Sequence, residues 1–133
     1  YAQLDLTSRR MVKPWLGGNE ELTCDLPPAL PLPGNMPLLS GPVESVTRVS
    51  RYSDLDVNGH VNNARYPDWF CDCFSMAQHR EWRLCDMLIH YDREIRPDEP
   101  VALSLQRDGA QSVLKGVCNG EACFAIAGTW ERR

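Results

Sequence analysis

The sequence predicts an α+β domain, a long helix wrapped by a curved antiparallel β-sheet. Three observations carry this prediction. Residues 43–50 alternate, with Val43, Ser45, Thr47 and Val49 on one face and Glu44, Val46, Arg48 and Ser50 on the other, which is the period of a strand. After Asn63 the period changes. Tyr66, Trp69, Phe70, Cys73, Phe74 and Ala77 form one broad apolar stripe at helical spacing. Further on, Asp108-Gly109 and Asn119-Gly120 are hairpin signals between apolar runs. One apolar helix and one sheet bury their apolar faces against each other.

The elements follow in order. Residues 1–6 predict a short strand cut from something longer, and 7–13 a basic turn. Residues 14–42 hold Pro14, Pro27, Pro28, Pro31, Pro33, Pro37 and Pro42. Proline removes backbone donors and fixes φ, so no regular core element fits there. A stretch of this length is too long for an ordinary loop and points to a connection between domains. Glu20–Thr23 has room for one helical turn. Residues 43–133 then make the main domain. Its helix is predicted from Ala64 to the region of Gln78–Arg80, with Asn62 or Asn63 as N-cap and Pro67 in the first turn. A long strand follows over Leu84–Ile95, then a turn at Arg96–Pro100. Strands over Val101–Gln106, Gln111–Cys118 and Ala122–Trp130 complete a four-stranded antiparallel meander.

The chain has 133 residues, with 43% hydrophobic and 24% charged residues, an ordinary globular composition. A net charge of −4 gives no indication of a nucleic-acid partner. No apolar run has the length of a membrane span, and the N-terminus has neither the charged nor the apolar region of a signal peptide. The six cysteines, Cys24, Cys71, Cys73, Cys85, Cys118 and Cys123, include no C-x-x-C pair. They predict buried, reduced thiols in a cytosolic protein, and no metal site. His79 and His90 are assigned structural roles.

The stretch from Arg51 to Trp69 is different. Asp54, Asp56, Asn58, Gly59, His60, Asn62 and Asn63 crowd between the predicted strand and helix. A surface loop has no need of so much acid, amide and imidazole, whereas a catalytic turn at a helix N-terminus does. Asp54 is assigned to shaping the turn. Tyr66 and Trp69 belong to the apolar stripe and hence to the core.

Asp54-Leu55-Asp56-Val57-Asn58-Gly59-His60-Val61-Asn62-Asn63, followed by Tyr66 and Trp69, resembles the motif of the hotdog-fold thioesterases. It is most similar to the acyl-ACP thioesterases of plants and bacteria. Asp5 with Arg9-Arg10 resembles the end of that family's first hotdog domain, and the proline-rich stretch its inter-domain connection. Tyr91-x-Arg93-Glu94 resembles the strand carrying a catalytic acid, and Gly128-Thr129-Trp130-Glu131 the closing strand. Pro67-Asp68 departs from the family's pattern.

The resemblance implies a hotdog fold. It makes 1–13 the end of a preceding hotdog domain, 14–42 the inter-domain linker and 43–133 the C-terminal hotdog thioesterase domain. It implies hydrolysis of fatty acyl thioesters on acyl carrier protein, with no cofactor, in the cytoplasm or the plastid stroma. The alternatives are an acyl-CoA thioesterase of the wider hotdog group and a non-catalytic acyl-binding module. The expected partners are acyl carrier protein and either a preceding hotdog domain or a second copy of the chain.

Carried over, the family's active-site acid falls on Asp56, its asparagine on Asn58, its histidine on His60 and its second acid on Glu94. Gly59, Asn62 and Asn63 complete the set as substrate-binding residues. Where plant relatives have a cysteine beside the second acid this chain has Ile95, which excludes a thiolate there. Thioester hydrolysis needs a carboxylate to activate water and donors aimed at the oxyanion. The free N–H groups after Asn62 are the predicted donors. A basic rim for the acidic carrier is expected from Arg9, Arg10, Lys13, Arg48, Arg51, Arg65, Arg80 and Arg83.

Overall fold

The computed structural model describes residues 33–133 without interruption, together with Gln3–Leu4, Thr7, Met11–Val12 and Pro27. The chain divides into two compact units, Tyr1–Leu32 and Pro33–Arg133. In the first, β1 (Gln3–Leu4) pairs antiparallel with β2 (Met11–Val12). β2 is a second short strand inside the predicted basic turn. Asp5, Arg9, Arg10, Lys13, Cys24 and the helical turn at Glu20–Thr23 lie outside the described residues.

The second unit runs β3 (Val43–Val49), α1 (Arg65–Asp72), α2 (Met76–Glu81), β4 (Trp82–Tyr91), β5 (Pro100–Asp108), β6 (Gln111–Cys118) and β7 (Glu121–Arg132). The strands form one antiparallel sheet in the order β3-β5-β6-β7-β4. This corrects the predicted four-stranded meander, since only β5, β6 and β7 are linked by hairpins. Asn119 and Gly120 take φ of 51° and 83°, the two positive angles of a tight type I′ hairpin. The β4–β5 connection, residues 92–99, is too long for such a turn. β5 therefore pairs with β3, and β4 takes the free edge of β7.

The long helix is also corrected. It is two short helices broken at Cys73–Ser75. Ser75 leaves the helical region with ψ of 156° and caps α2, its Oγ accepting from the Gln78 N–H at 3.2 Å. Its own N–H donates to Gln78 Oε1 at 2.8 Å. This reciprocal box satisfies two donors at a new helix start and outweighs continuation of the apolar stripe. Ser75→Ala should lower stability by about 1 kcal/mol, read as a shift in the urea midpoint.

The core lies between the helices and one face of the sheet. α1 buries Tyr66, Trp69 and Phe70. Facing them are Val101, Leu103 and Leu105 of β5, Leu114 of β6 and Phe124, Ile126 and Trp130 of β7. Tyr66 stacks on Phe124 with centroids 4.5 Å apart, and Phe70 on Trp130 at 6.0 Å. A Cβ at Gly128 would come within 2.6 Å of Phe70, so a bare glycine lets the helix settle on β7.

The opposite face is crossed by the end of the proline-rich stretch. The Gly34 carbonyl is 3.2 Å from His90 Nε2. Gln106 Nε2 donates to the carbonyls of Leu39 and Gly41 at 2.7 and 2.9 Å. Ser40 Oγ donates to Asp108 at 3.0 Å. Val113, Ala125 and Ala127 on that face are buried. Among the described residues, no helix is long and apolar enough to cross a membrane.

Candidate active site

The chain leaves β3 through a single 3-10 turn, Tyr52–Asp54. Asp54 is buried and accepts from the Arg51 N–H at 2.8 Å, while its carbonyl accepts from the Asn62 N–H at 2.8 Å. It closes the turn and shows nothing to solvent. Leu55 and Val61 then pair across the loop, leaving residues 56–60 as a small closed excursion. Inside it the Asp56 N–H donates to the His60 carbonyl at 2.8 Å, and the Gly59 N–H to the Asp56 carbonyl at 3.1 Å. Gly59 has φ of 74°, a region that side chains other than glycine enter at a cost.

Asp56 is the hub of this loop. Its Oδ1 accepts from the Asn58 N–H at 2.8 Å and the His60 N–H at 3.2 Å. The His60 N–H is the main reason its carboxyl lies below the ordinary value of 3.8; partial burial opposes the shift and the Asn58 N–H adds to it. Asp56 is therefore a carboxylate at neutral pH, with one oxygen occupied in positioning Asn58 and His60.

Glu94 does not lie on a strand, because β4 ends at Tyr91. It sits in the β4–β5 connection, which is pinned on both sides. The Asp92 and Arg93 N–H groups both donate to the Cys123 carbonyl, at 2.9 and 3.0 Å. Arg93 Nη2 donates to Glu99 at 2.6 Å, and the same carboxylate accepts from the Arg96 N–H and from Asn119 Nδ2. Ile95 is fully buried, and its carbonyl accepts from the Val61 N–H at 2.9 Å. This last bond ties the two loops together. His60 Nδ1 consequently lies 3.5 Å from Glu94 Oε2, with side-chain exposures of 21% and 67%.

The pinning is testable. Arg93 first, and then the Arg96 N–H, hold Glu99 below its ordinary 4.5. A carboxylate depressed on folding stabilises above its unfolded pKa and loses that contribution as pH falls through its folded value. Glu99→Gln should cost about 1 kcal/mol at pH 7. The gap in Tm from the parent should close as pH falls below 4.5.

The asparagines divide differently from the prediction. Neither is the N-cap of α1, which is Ala64 without a side-chain bond. Asn62 Oδ1 accepts from the Ala64 N–H at 2.9 Å, and its carbonyl from the Arg65 N–H at 2.8 Å. With Pro67 lacking an N–H, the helix start offers fewer oxyanion donors than predicted. Asn63 presents its carbonyl to the Tyr91 hydroxyl at 3.5 Å. The basic rim shrinks too, because Arg48, Arg65 and Arg83 pair with Asp72, Asp68 and Glu131. Nor are the thiols uniformly buried, since Cys85 is exposed.

Ile95 and Arg93 were missed as positioning residues. An alternating apolar run gave no sign that the strand stops at Tyr91. Three cavities among the described residues, beside β3 and at the far end of the helices, are lined by none of Asp56, Asn58, His60 or Glu94. The constellation is open to solvent, with Val57 at its tip fully exposed.

Residues 43–132 match the family model of the acyl-ACP thioesterase C-terminal domain. A chloroplastic acyl-[acyl-carrier-protein] hydrolase of Cuphea viscosissima is 30% identical over 69 residues, covering 49% of this chain and 17% of that protein. An acyl-ACP thioesterase structure from Bacteroides thetaiotaomicron superposes with a TM-score of 0.79 at 23% identity, covering 96% of this chain and 53% of that one. The 12:0-ACP thioesterase from Umbellularia californica gives 0.80 at 18%, covering 98% and 53%. The fold is thus that of the hotdog thioesterases. The chain spans little more than half the length of either solved enzyme.

Proposed function

Because this chain belongs to the acyl-ACP thioesterase C-terminal domain family, we propose that it carries the catalytic turn for hydrolysing fatty acyl thioesters on acyl carrier protein. The observation that carries the reading is the meeting of two loops at His60 Nδ1 and Glu94 Oε2, 3.5 Å apart. Glu94 orients the imidazole and balances its charge, and the far ring nitrogen takes a proton from water. That water attacks the thioester carbon. The oxyanion collapses, and the proton on His60 passes to the departing thiolate, leaving a free fatty acid. Asp56 is a poor base because its pKa is depressed. Its role is to hold the Asn58 and His60 backbone in place, so that the Asn58 amide can face the carbonyl. Gly59, Asn62 and Asn63 line the approach of the acyl-phosphopantetheine arm.

With Glu94 exposed, the turn needs a wall. A preceding hotdog domain or a second copy of the chain would supply it and hold most of the acyl chain. The setting is fatty acid synthesis in the cytoplasm or plastid stroma.

The test compares hydrolysis of acyl-ACP and acyl-CoA of matched chain length by the chain and by Glu94→Gln. Faster turnover of acyl-ACP, abolished by the substitution, supports the proposal. Equal or faster acyl-CoA turnover replaces it with the CoA reading, and binding without turnover by the full-length parent protein replaces it with that of an acyl-binding module.

A further inference from the structure

We propose that the groove between β3 and α1 binds a free fatty carboxylate at a site separate from the Asp56 turn. Adjoining cavities of about 380 and 130 Å³ share Val46, Cys73 and Leu103 along this groove. It exists because the helices cover only part of the sheet. β3 directs Glu44, Val46 and Arg48 to the helix side, in register with Leu105, Leu103 and Val101 of β5. Val46 nevertheless remains 59% exposed.

The two ends of the groove differ in chemistry. Leu105 and Leu114 line one end. Trp69, Arg48, Arg51 and Asp72 line the other. Trp69 is fully buried, yet its Nε1–H has no acceptor, an unusual state for a buried donor. The Arg48 guanidinium lies 4.7 Å over the Trp69 ring and pairs with Asp72 at 2.9 Å. Arg51 has no carboxylate partner among the described residues.

Two arginines against one aspartate leave a positive charge at the polar end. At the apolar end, Glu44 faces Arg107 at 3.4 Å. An alkyl chain ending in a carboxylate matches this arrangement. Its tail lies on Leu103, Leu105 and Leu114, and its head accepts from the arginines beside Trp69. An added strand on the β3 edge would use backbone bonds and leave Arg51 unmet. The ligand class coincides with the product of the proposed reaction, but the assignment does not rest on it.

The test uses the 133-residue chain with decanoate, 1-decanol and 2-bromodecanoate, whose bromine sits beside the carboxylate, as probes. Titration calorimetry gives affinities, and bromine quenching of tryptophan fluorescence locates the chain. Saturable quenching that is largely lost in Trp69→Phe is expected. Val46→Phe, which fills the shared middle of the groove, should weaken decanoate binding at least about tenfold with an unchanged melting curve. Arg51→Gln, at an exposed position, should narrow the preference for decanoate over decanol, itself about tenfold in the parent. Equal binding of decanol, undiminished quenching in Trp69→Phe, or full affinity in Val46→Phe would each overturn the proposal. So would dimerisation through β3 in light scattering with no decanoate response. No hydrolysis is measured, so failure here leaves the proposed function standing.

Discussion

Glu94→Gln should lower kcat by about two to four orders of magnitude, the usual contribution of a positioned acid–base group. Circular dichroism and Tm should stay at parental values. The separation of the two readouts follows from the geometry. The Glu94 side chain is 67% exposed, and its contact is with His60 at 3.5 Å. The loop is held instead by Arg93, Ile95 and Glu99. The isosteric amide removes the charge that steadies a protonated imidazole and leaves those anchors intact. Asp56→Ala should behave differently, because it strips the acceptor of two backbone N–H groups. Its loss of activity should come with a loosened loop, visible as faster hydrogen exchange at Asn58 and His60. Near-parental kcat in Glu94→Gln would end the mechanism proposed here.

Phe124→Ala should cost about 3–5 kcal/mol, a large share of the roughly 5–15 kcal/mol available to a domain. Its ring is 1% exposed, stacked on Tyr66 at 4.5 Å and edge-on to Trp69 at 6.3 Å. Beneath it is Gly116, where a Cβ would lie 2.2 Å from the ring. The ring lies between a helix and bare strand backbone, and neither can move in to fill a void. The damage should also reach the candidate site. Tyr66 lies in the first turn of α1, and the neighbouring Cys123 carbonyl anchors the Glu94 loop. Urea denaturation should therefore show a lower midpoint, and activity should fall even where the variant is folded. A loss below about 1 kcal/mol would contradict this account of the core.

Patterns of short range were legible in the residues. The β3 alternation, the Asn119-Gly120 hairpin and the acidic turn each depend on chemistry within a few positions. The helix break was legible too, because Ser75-Met76-Ala77-Gln78 is a capping box, but the apolar stripe running through it masked the signal. The end of β4 was not legible. Tyr91-Asp92-Arg93-Glu94-Ile95 continues the alternation, and only the Cys123 carbonyl, taking both the Asp92 and Arg93 N–H groups, turns the chain away.

The motif's resemblance pointed to the family, and local spacing alone pointed to the α+β class and the crowded turn around Asp56. Tertiary structure decided the rest. It placed β4 on β7 in place of a meander, split the helix, and gave Asp56 a holding role by filling one of its oxygens. It also brought Glu94 to His60. The bond that joins the two loops runs from the Val61 N–H to the Ile95 carbonyl. Val61 and Ile95 carry the same backbone groups as every other non-proline residue, so no pattern of side chains along the chain announces that these two will pair.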